Sequence, residues 1–252
     1  MNRKIMHNYA PPVVVLIVLV VVLETVIRAF HIDPTILPPP SAIVKALVVH
    51  FSDDLLSHTL NTVGVILAGF VIGVPLGMVL AALLSQFRLL TKMLTPYIII
   101  LSTTPLLTLI PLFRLWLGFA NWVKIVVIVV QIVPIVALNS ITGFCSVSQE
   151  KKELMESYGA TKWETFWKVT FPNALPFIFT GVKLGCIFTT IATISCELNG
   201  FSAGLGTRVH YYSKYLQTDT VFAVILLIAI VGILLFNAVC FVEKRVVTWK
   251  TD

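Results

Sequence analysis

Long runs without charge constrain this chain more than any other feature. Six of them stand out: Pro11 to Leu23, extending past Glu24 towards Ala29; Thr59 to Phe87; Met93 to Phe113; Ile125 to about Phe144; Ala174 to Cys196, interrupted by Lys183; and Val221 to Val242. A helix that crosses a bilayer needs about 20 mostly apolar residues, each rising about 1.5 Å through about 30 Å of hydrocarbon. None of the runs alternates polar with apolar, so helices are expected and not the strands of a barrel. The balance of the chain agrees. Hydrophobic residues make up 58% of its 252 positions and charged residues 12%, where a soluble domain carries about 25% charge. The expectation is an all-α, polytopic membrane helix bundle of about six transmembrane helices.

Arg3 and Lys4 precede the first run as in a signal peptide, but Glu24 and Arg28 sit where a cleavage region is small and neutral. Residues 1–30 therefore read as an uncleaved anchor. An external segment, 31–58, follows, stiffened by DPTILPPPS, with Ser41 expected to cap a short amphipathic helix over 42–51 that lies at the interface. Residues 59–242 form the core and 243–252 a tail. With the N-terminus inside, the inner segments hold eleven Lys and Arg: Arg3, Lys4, Arg88, Lys92, Lys151, Lys152, Lys162, Lys168, Lys244, Arg245 and Lys250. The outer segments and flanks hold six: Arg28, Lys45, Arg114, Lys124, Arg208 and Lys214. Lys183 falls within a run and is expected to snorkel to the inner interface. The bias places both termini in the cytoplasm. The net charge of +6 is thus a topology signal. No clustered basic face suggests nucleic acid.

Several chemistries lack their residues. Cys145, Cys186, Cys196 and Cys240 show no CxxC and no metal-ligand spacing, and read as small apolar filler. The five histidines are scattered; His50 and His58 share a helix side at most. There is no G-x-x-x-x-G-K-[ST] to cradle ATP phosphates and no nucleophile–base constellation. No catalytic or metal site is expected.

Within the runs, Gly69, Gly73, Gly77, Ala81 and Ser85 recur every four residues. They line one face of the second helix, either as a seam in a moving bundle or as ordinary membrane packing. Pro105 and Pro111, next to Ser102–Thr104, predict a bent or broken third helix that faces a cavity or another helix. The polar groups Asn139, Gln131, Thr189, Thr190, Thr193, Ser102, Thr103 and Thr104 are candidates for a solute path, although Ser and Thr also bond their own helix. Glu197, with Gly204 and Gly206, reads as an outer mouth: a gate or docking loop, or a solvated turn.

The stretch from about 146 to 172 interrupts the oil with a soluble-looking segment. Ser146 or Ser148 begins a helix that runs to about Tyr158, and Gly159 ends it in a left-handed turn. Thr161 and Glu164 match a capping box. A second short helix follows to about Val169, broken by Pro172, with Pro176 opening the return. Trp163, Phe166 and Trp167 form a stripe that suits either a lipid surface or a groove on a soluble partner.

Glu153, Gly159 and Leu175-Pro176, in that order, resemble the EAA loop of ABC importer permeases. The stretch ESYGATKWETFWKVTFPNALPFIFTGVKLG follows the family pattern, with Leu154 and Met155 where two alanines are usual. LPPPSAIVKAL at 37–47, LIPLFRLWLGFANWVKI at 109–125 and CELNGFSAGLGTRVHYYSKYLQTDTVFA at 196–223 resemble the sulfonate, nitrate, taurine and thiamine-precursor branch. The likeness spans about residues 37 to 250. It implies a type I ABC importer permease fold in the inner membrane of a prokaryote. It also implies a second permease copy as a homodimer, a cytoplasmic ABC ATPase dimer that binds the ATP, and a periplasmic or lipid-anchored substrate-binding protein. Glu153, Gly159, Ala160, Trp163 and Phe166 would couple to the ATPase. This chain would be non-catalytic and carry no cofactor. A rival, the ion-coupled secondary transporter, needs inverted repeats and an intramembrane carboxylate; no repeat is visible, and Glu24 is the one acid inside a run. No basic residue is evident in the path, which tilts the solute towards a neutral or zwitterionic one.

Overall fold

In the computed structural model, residues 2–249 are described; Met1 and 250–252, Lys250 among them, lie outside the described residues. The elements are α1 (Asn2–Ala29), α2 (Pro40–His50), α3 (Leu56–Ser85), α4 (Arg88–Thr103), α5 (Leu106–Leu117), α6 (Asn121–Cys145), α7 (Gln149–Ser157), α8 (Lys162–Thr165), α9 (Phe171–Leu198), α10 (Leu205–Lys214) and α11 (Thr218–Val246). No strand forms among the described residues. Among the described residues, four helical stretches are long and apolar enough to cross a membrane, and α4 with α5 makes a fifth if the bent pair counts as one span. The first apolar run lies in α1.

The centre of the bundle is α3, α6 and α9. Gly69, Gly73, Gly77 and Ala81 are all buried. A Cβ on Gly69 would lie 2.6 Å from Ile128 Cγ2, on Gly73 2.5 Å from Ile132 Cδ1, and on Gly77 2.9 Å from the Val133 carbonyl oxygen. The α3 glycines thus receive the branched side chains of α6, Ile128, Ile132 and Val136, at the same four-residue spacing. Lipid tails are as apolar as these side chains, so such helices associate through tight van der Waals packing, which small residues permit. The α6–α9 contact repeats the device: a Cβ on Gly181 would lie 2.8 Å from Asn139 Cβ, and one on Gly143 2.8 Å from Phe177 Cβ.

The third run breaks as its prolines foretold. α4 and α5 meet at 89° across Thr104 and Pro105. Three other expectations are corrected. Ser41 does not cap α2: Pro39 is its N-cap and Pro40 its first residue. Ser41 instead donates its N–H and Oγ to Glu24 of α1, at 3.0 and 2.8 Å. α2 also runs on through a π turn, Phe51–Leu55, into α3, so it is an extension of the span and not a separate surface helix. Pro172 does not break the helix after α8. A second π turn, Phe166–Thr170, shifts the hydrogen-bond register by one, with Phe171 N–H donating to Phe166 O. Pro172, which has no N–H to give, then falls in the first turn of α9, where that donor is not needed. Lys183, inside the fifth run, reaches Glu243 near the end of α11, Nζ to Oε2 2.8 Å, with both side chains partly exposed.

Gly77→Leu drives a side chain against a backbone carbonyl that cannot yield, and overpacking of this kind costs about 3 kcal/mol. Thermal unfolding of the purified protein in detergent should show a marked loss. Gly64, whose Cβ would meet nothing within 4 Å, is the matched control; Gly64→Ala should leave the midpoint unchanged or raise it.

Candidate functional site

The loop between α6 and α9 is built from local chemistry. α7 ends at Ser157, and Gly159 takes φ +74°. Gly159 N–H donates to Glu156 O at 2.9 Å and Ala160 N–H to Met155 O at 3.0 Å. Together these make a Schellman turn, which closes the last carbonyls of a helix and requires a left-handed residue. Thr161 then opens α8 with both halves of a capping box. Glu164 N–H donates to Thr161 Oγ1 at 3.2 Å, and Thr161 N–H donates to Glu164 Oε2 at 2.9 Å. Two short helices are thereby fixed about one sharp corner. Glu153 is exposed on α7 and accepts from Gln149 Nε2 at 3.1 Å. Leu154 and Tyr158 project from the same segment, Tyr158 with 80% of its surface free.

The aromatic stripe points back towards the bundle. Phe166 is half-buried against Phe144 of α6, ring centroids 5.5 Å apart, and Trp167 packs on Phe171 at 5.1 Å. Trp163, still 68% exposed, completes the group against Phe166 and Trp167. The loop is thus fastened through α8 to α6 and α9, while α7 stands clear.

At the opposite end, Glu197, Gly204 and Gly206 come together in a buried knot. The Glu197 side chain has no exposed surface, which overturns the solvated-turn reading. Its carboxylate accepts from Thr62 Oγ1 of α3 at 3.0 Å and from the Gly206 N–H at 2.9 Å. Lys124 of α6, also without exposed surface, lies 3.5 Å from Oε1. Lys124 donates to Ala203 O at 2.6 Å and to Asn61 Oδ1 at 3.4 Å. Leu205 N–H donates to Thr62 Oγ1 at 2.8 Å. Gly204 sits at φ +129°, and a Cβ there would strike the Glu197 carboxyl; one on Gly206 would lie 2.7 Å from Glu197 Cβ. The two glycines let the backbone wrap the carboxylate. Lys124 is therefore not the flanking surface charge that the loop count assumed.

A second layer backs the knot. The Gly204 N–H donates to His58 Nδ1 at 3.0 Å. Asp54 is 3.7 Å from His58 Nε2, pairs with Arg208 and accepts from Tyr212 OH at 2.8 Å. Burial, with the Asp54 carboxylate beside it, pushes the Tyr212 hydroxyl up to about 12. Sequence reasoning missed Lys124, Thr62, Asp54, Arg208 and Tyr212 as a group. Lys124 and Glu197 are 73 positions apart, and each appears in the sequence as a lone charge at the end of an apolar run.

The path candidates divide. Ser102, Thr103, Thr104 and Gln131 line a cavity of about 200 Å³ in the crook of the α4–α5 bend, walled by Phe188 and Ala192 of α9. The hydroxyls of Ser102, Thr103 and Thr104 donate to carbonyls of their own helix, Ile99 or Ile100. Asn139 is elsewhere, on the α6–α9 seam, donating to Ile135 O at 2.8 Å. Thr189 and Thr193 are fully buried in α9; Thr193 donates to Thr189 O, and the Thr189 hydroxyl has no partner among the described residues. Thr190 donates to Cys186 O. Among the described residues, none that lines the cavity is charged.

Comparison with known proteins gives a consistent picture. The family model described as "binding-protein-dependent transport system inner membrane component" matches residues 73–248. The formylaminopyrimidine transport permease protein ThiX of Halalkalibacterium halodurans is 28% identical over 95% of each chain. The taurine transport system permease protein TauC of Escherichia coli is 29% identical over 94% of this chain and 88% of its own. The putative aliphatic sulfonates transport permease protein SsuC of Bacillus subtilis is 30% identical over 88% of this chain and 80% of its own. Among solved structures, an inward-facing MetNI methionine ABC transporter matches with a TM-score of 0.61 at 21% identity, covering 76% of this chain and 95% of that one. An amino acid ABC transporter matches with the same TM-score at 17% identity, over 80% of this chain and 96% of that one.

Removing one member of a buried ion pair strands the other, at about 3–5 kcal/mol. Lys124→Met and Glu197→Gln should each lower the thermal midpoint sharply, and the double variant should lose much less than the sum of the two. Unfolding of the four proteins in detergent measures the coupling; strict additivity would show that the pair is not energetically joined.

Proposed function

The chain belongs to the family of binding-protein-dependent transport system inner membrane components and is the non-catalytic permease subunit of an ABC importer, and from that premise we propose how its geometry performs the transport. It pairs with a second copy of itself and sits on two cytoplasmic ATPase subunits, which bind and hydrolyse the ATP. A substrate-binding protein outside delivers the solute. Both termini and the α7–α8 loop face the cytoplasm, as the excess of inner Lys and Arg supports.

The observation that carries the reading is the loop itself: two short helices locked about Gly159, exposed on α7 and fastened to the bundle through α8. α7 seats on the ATPase, with Glu153, Gly159 and Ala160 setting the angle of the corner. Trp163 and Phe166 serve the coupling from the membrane side, by tying α8 to Phe144 and Phe171. When ATP closes the ATPase dimer, the two loops are drawn together and the helices swing from inward-open to outward-open. The loop drives that change only through contacts that differ between the two states. The solute passes the bend of α4 and α5, where Ser102, Thr103 and Gln131 offer hydrogen bonds; Asn139 on α6 and Thr189 and Thr193 on α9 support that path from the helix seams behind it and do not line the cavity. Glu197, Gly204 and Gly206 hold the outer mouth.

For the solute, the uncharged walls of the cavity favour a small neutral or zwitterionic molecule. A taurine-like zwitterion or a pyrimidine precursor of thiamine fits that description better than a simple anion, and relatives bear names of both kinds.

Co-purification tests the assignment. Expressed with its genetic neighbours, the wild type should retain a soluble ATPase, and replacement of 153–170 by a Gly/Ser linker should release it. A chain that purifies alone and moves solute in vesicles without ATP would contradict the reading. Within the loop, Gly159→Val should insert normally and lose ATP-driven uptake, because a β-branched residue resists positive φ. Gly159→Asn, which tolerates that region, should keep a substantial part of it. The space around Gly159 is open, so the difference would report backbone conformation and not a clash.

A further inference from the structure

Beside the loop, the same end of the bundle carries a cavity to which the proposed transport path assigns no occupant. An apolar groove of about 660 Å³ runs between Val79, Ala82 and Leu83 of α3 and the aromatic wall of Trp163, Trp167 and Phe171. Pockets of roughly 300–1,000 Å³ hold discrete ligands. The groove is continuous with the outward-facing stripe of α3, where Leu67, Val71, Leu76, Val79 and Leu83 are all exposed. A chain of hydrocarbon in contact with that stripe can therefore enter it sideways without crossing a polar barrier.

The groove does not end blindly. Gln86, Phe144, Lys162 and Phe166 line both it and a second cavity of about 240 Å³, which lies under the corner of the α7–α8 loop. That second cavity is polar, with Lys152, Lys162, Glu156, Ser85 and Thr165 on its walls. Neither lysine forms an ion pair among the described residues. An apolar slot that opens into a polar chamber with two lysines and one glutamate matches an amphiphile with a negative head.

We propose that this composite cavity binds one anionic phospholipid of the inner leaflet, with an acyl chain in the α3–aromatic groove and its headgroup phosphate between Lys152 and Lys162. The tryptophans sit where their rings suit the boundary between tail and head. The lipid fills the space between α3 and α8, so the loop rests on it as well as on Phe144. The site goes beyond the transport assignment and stands or falls separately from it: the cavity exists whichever partner α7 engages.

Photolabelling of the assembled transporter tests the idea. Nanodiscs are made with phosphatidylglycerol that carries a diazirine on one acyl chain, irradiated, and the adducts mapped by mass spectrometry. Peptides containing 78–83 and 163–171 should be labelled several-fold above the lipid-facing stretch of α11 around Ile233 and Leu234. Ala82→Phe, which fills the groove, should abolish the excess and leave α11 labelling unchanged. Lys152→Gln and Lys162→Gln should each lower the preference for phosphatidylglycerol over phosphatidylcholine about fivefold, at about 1 kcal/mol per lysine beside an anionic headgroup. Labelling no higher than on α11, or equal for the two headgroups in the wild type, would overturn the proposal. So would cross-links to the ATPase or to a second permease copy from a photoreactive amino acid placed at Ala82, which would mean that protein occupies the groove. The wild-type map decides these points even if a variant fails to fold.

Discussion

Lys124 and Glu197 meet with neither side chain exposed, and the end of the bundle opposite the α7–α8 loop is arranged around that fact. An ion pair taken out of water is tolerated only when its remaining donors and acceptors are met. Thr62, Asn61, Ala203 and Gly206 meet them, and they come from α3, from the loop after α9 and from the start of α10. One pair therefore ties the outer end of α6 to three other parts of the chain. The glycines at 204 and 206 follow from this, because any side chain there would displace the carboxylate. Glu197 thus commits its carboxylate to fixed protein groups, the Thr62 hydroxyl, the Gly206 N–H and the Lys124 ammonium.

The rest of the bundle is held by shape. Gly69, Gly73 and Gly77 receive Ile128, Ile132 and Val136, and the contact runs from the level of the knot down to the level of the loop. α6 then continues to Phe144, on which Phe166 rests. The chain of contact from the α7–α8 loop to the Lys124–Glu197 knot thus passes through packed side chains and one continuous helix, α6, which carries Pro134 near its middle. Such cores hold discrete arrangements and do not deform smoothly. A movement imposed at α7 is expected at the outer mouth as rotation of the whole unit.

Much of this was legible in the sequence because its causes are local. Apolar runs located the spans, the four-residue glycine repeat located the α3 face, and Pro105 located the bend. Gly159 and the Thr161–Glu164 box specified the loop almost residue by residue. What was not legible depends on partners far away in the chain. Ser41 is an adequate N-cap by type, yet Pro39 and Pro40 start the helix and Glu24 claims the serine. Pro172 reads as a breaker, yet a π turn absorbs it. Lys124 and Glu197 read as edge charges and Lys183 as a lone charge inside a run, and only the packing of α6, α9 and α11 shows each of them with its partner. The polar candidates for a path separate for the same reason: four gather at the bend, while Asn139, Thr189 and Thr193 are turned into helix contacts.

The central claim is that the chain moves as one lever between loop and mouth. It is tested most directly by spin-label distances in the assembled transporter, with Cys145, the exposed cysteine, replaced by Ser. Labels at Tyr158 and Ser202, both exposed, report one end each. On adding ATP under conditions that block hydrolysis, the account predicts an unchanged 158-to-202 distance within a chain, a shorter 158-to-158 distance between the two permeases and a longer 202-to-202 distance. A within-chain distance that shifts as much as the inter-chain ones, or a loop that moves while the outer pair stays still, would contradict it.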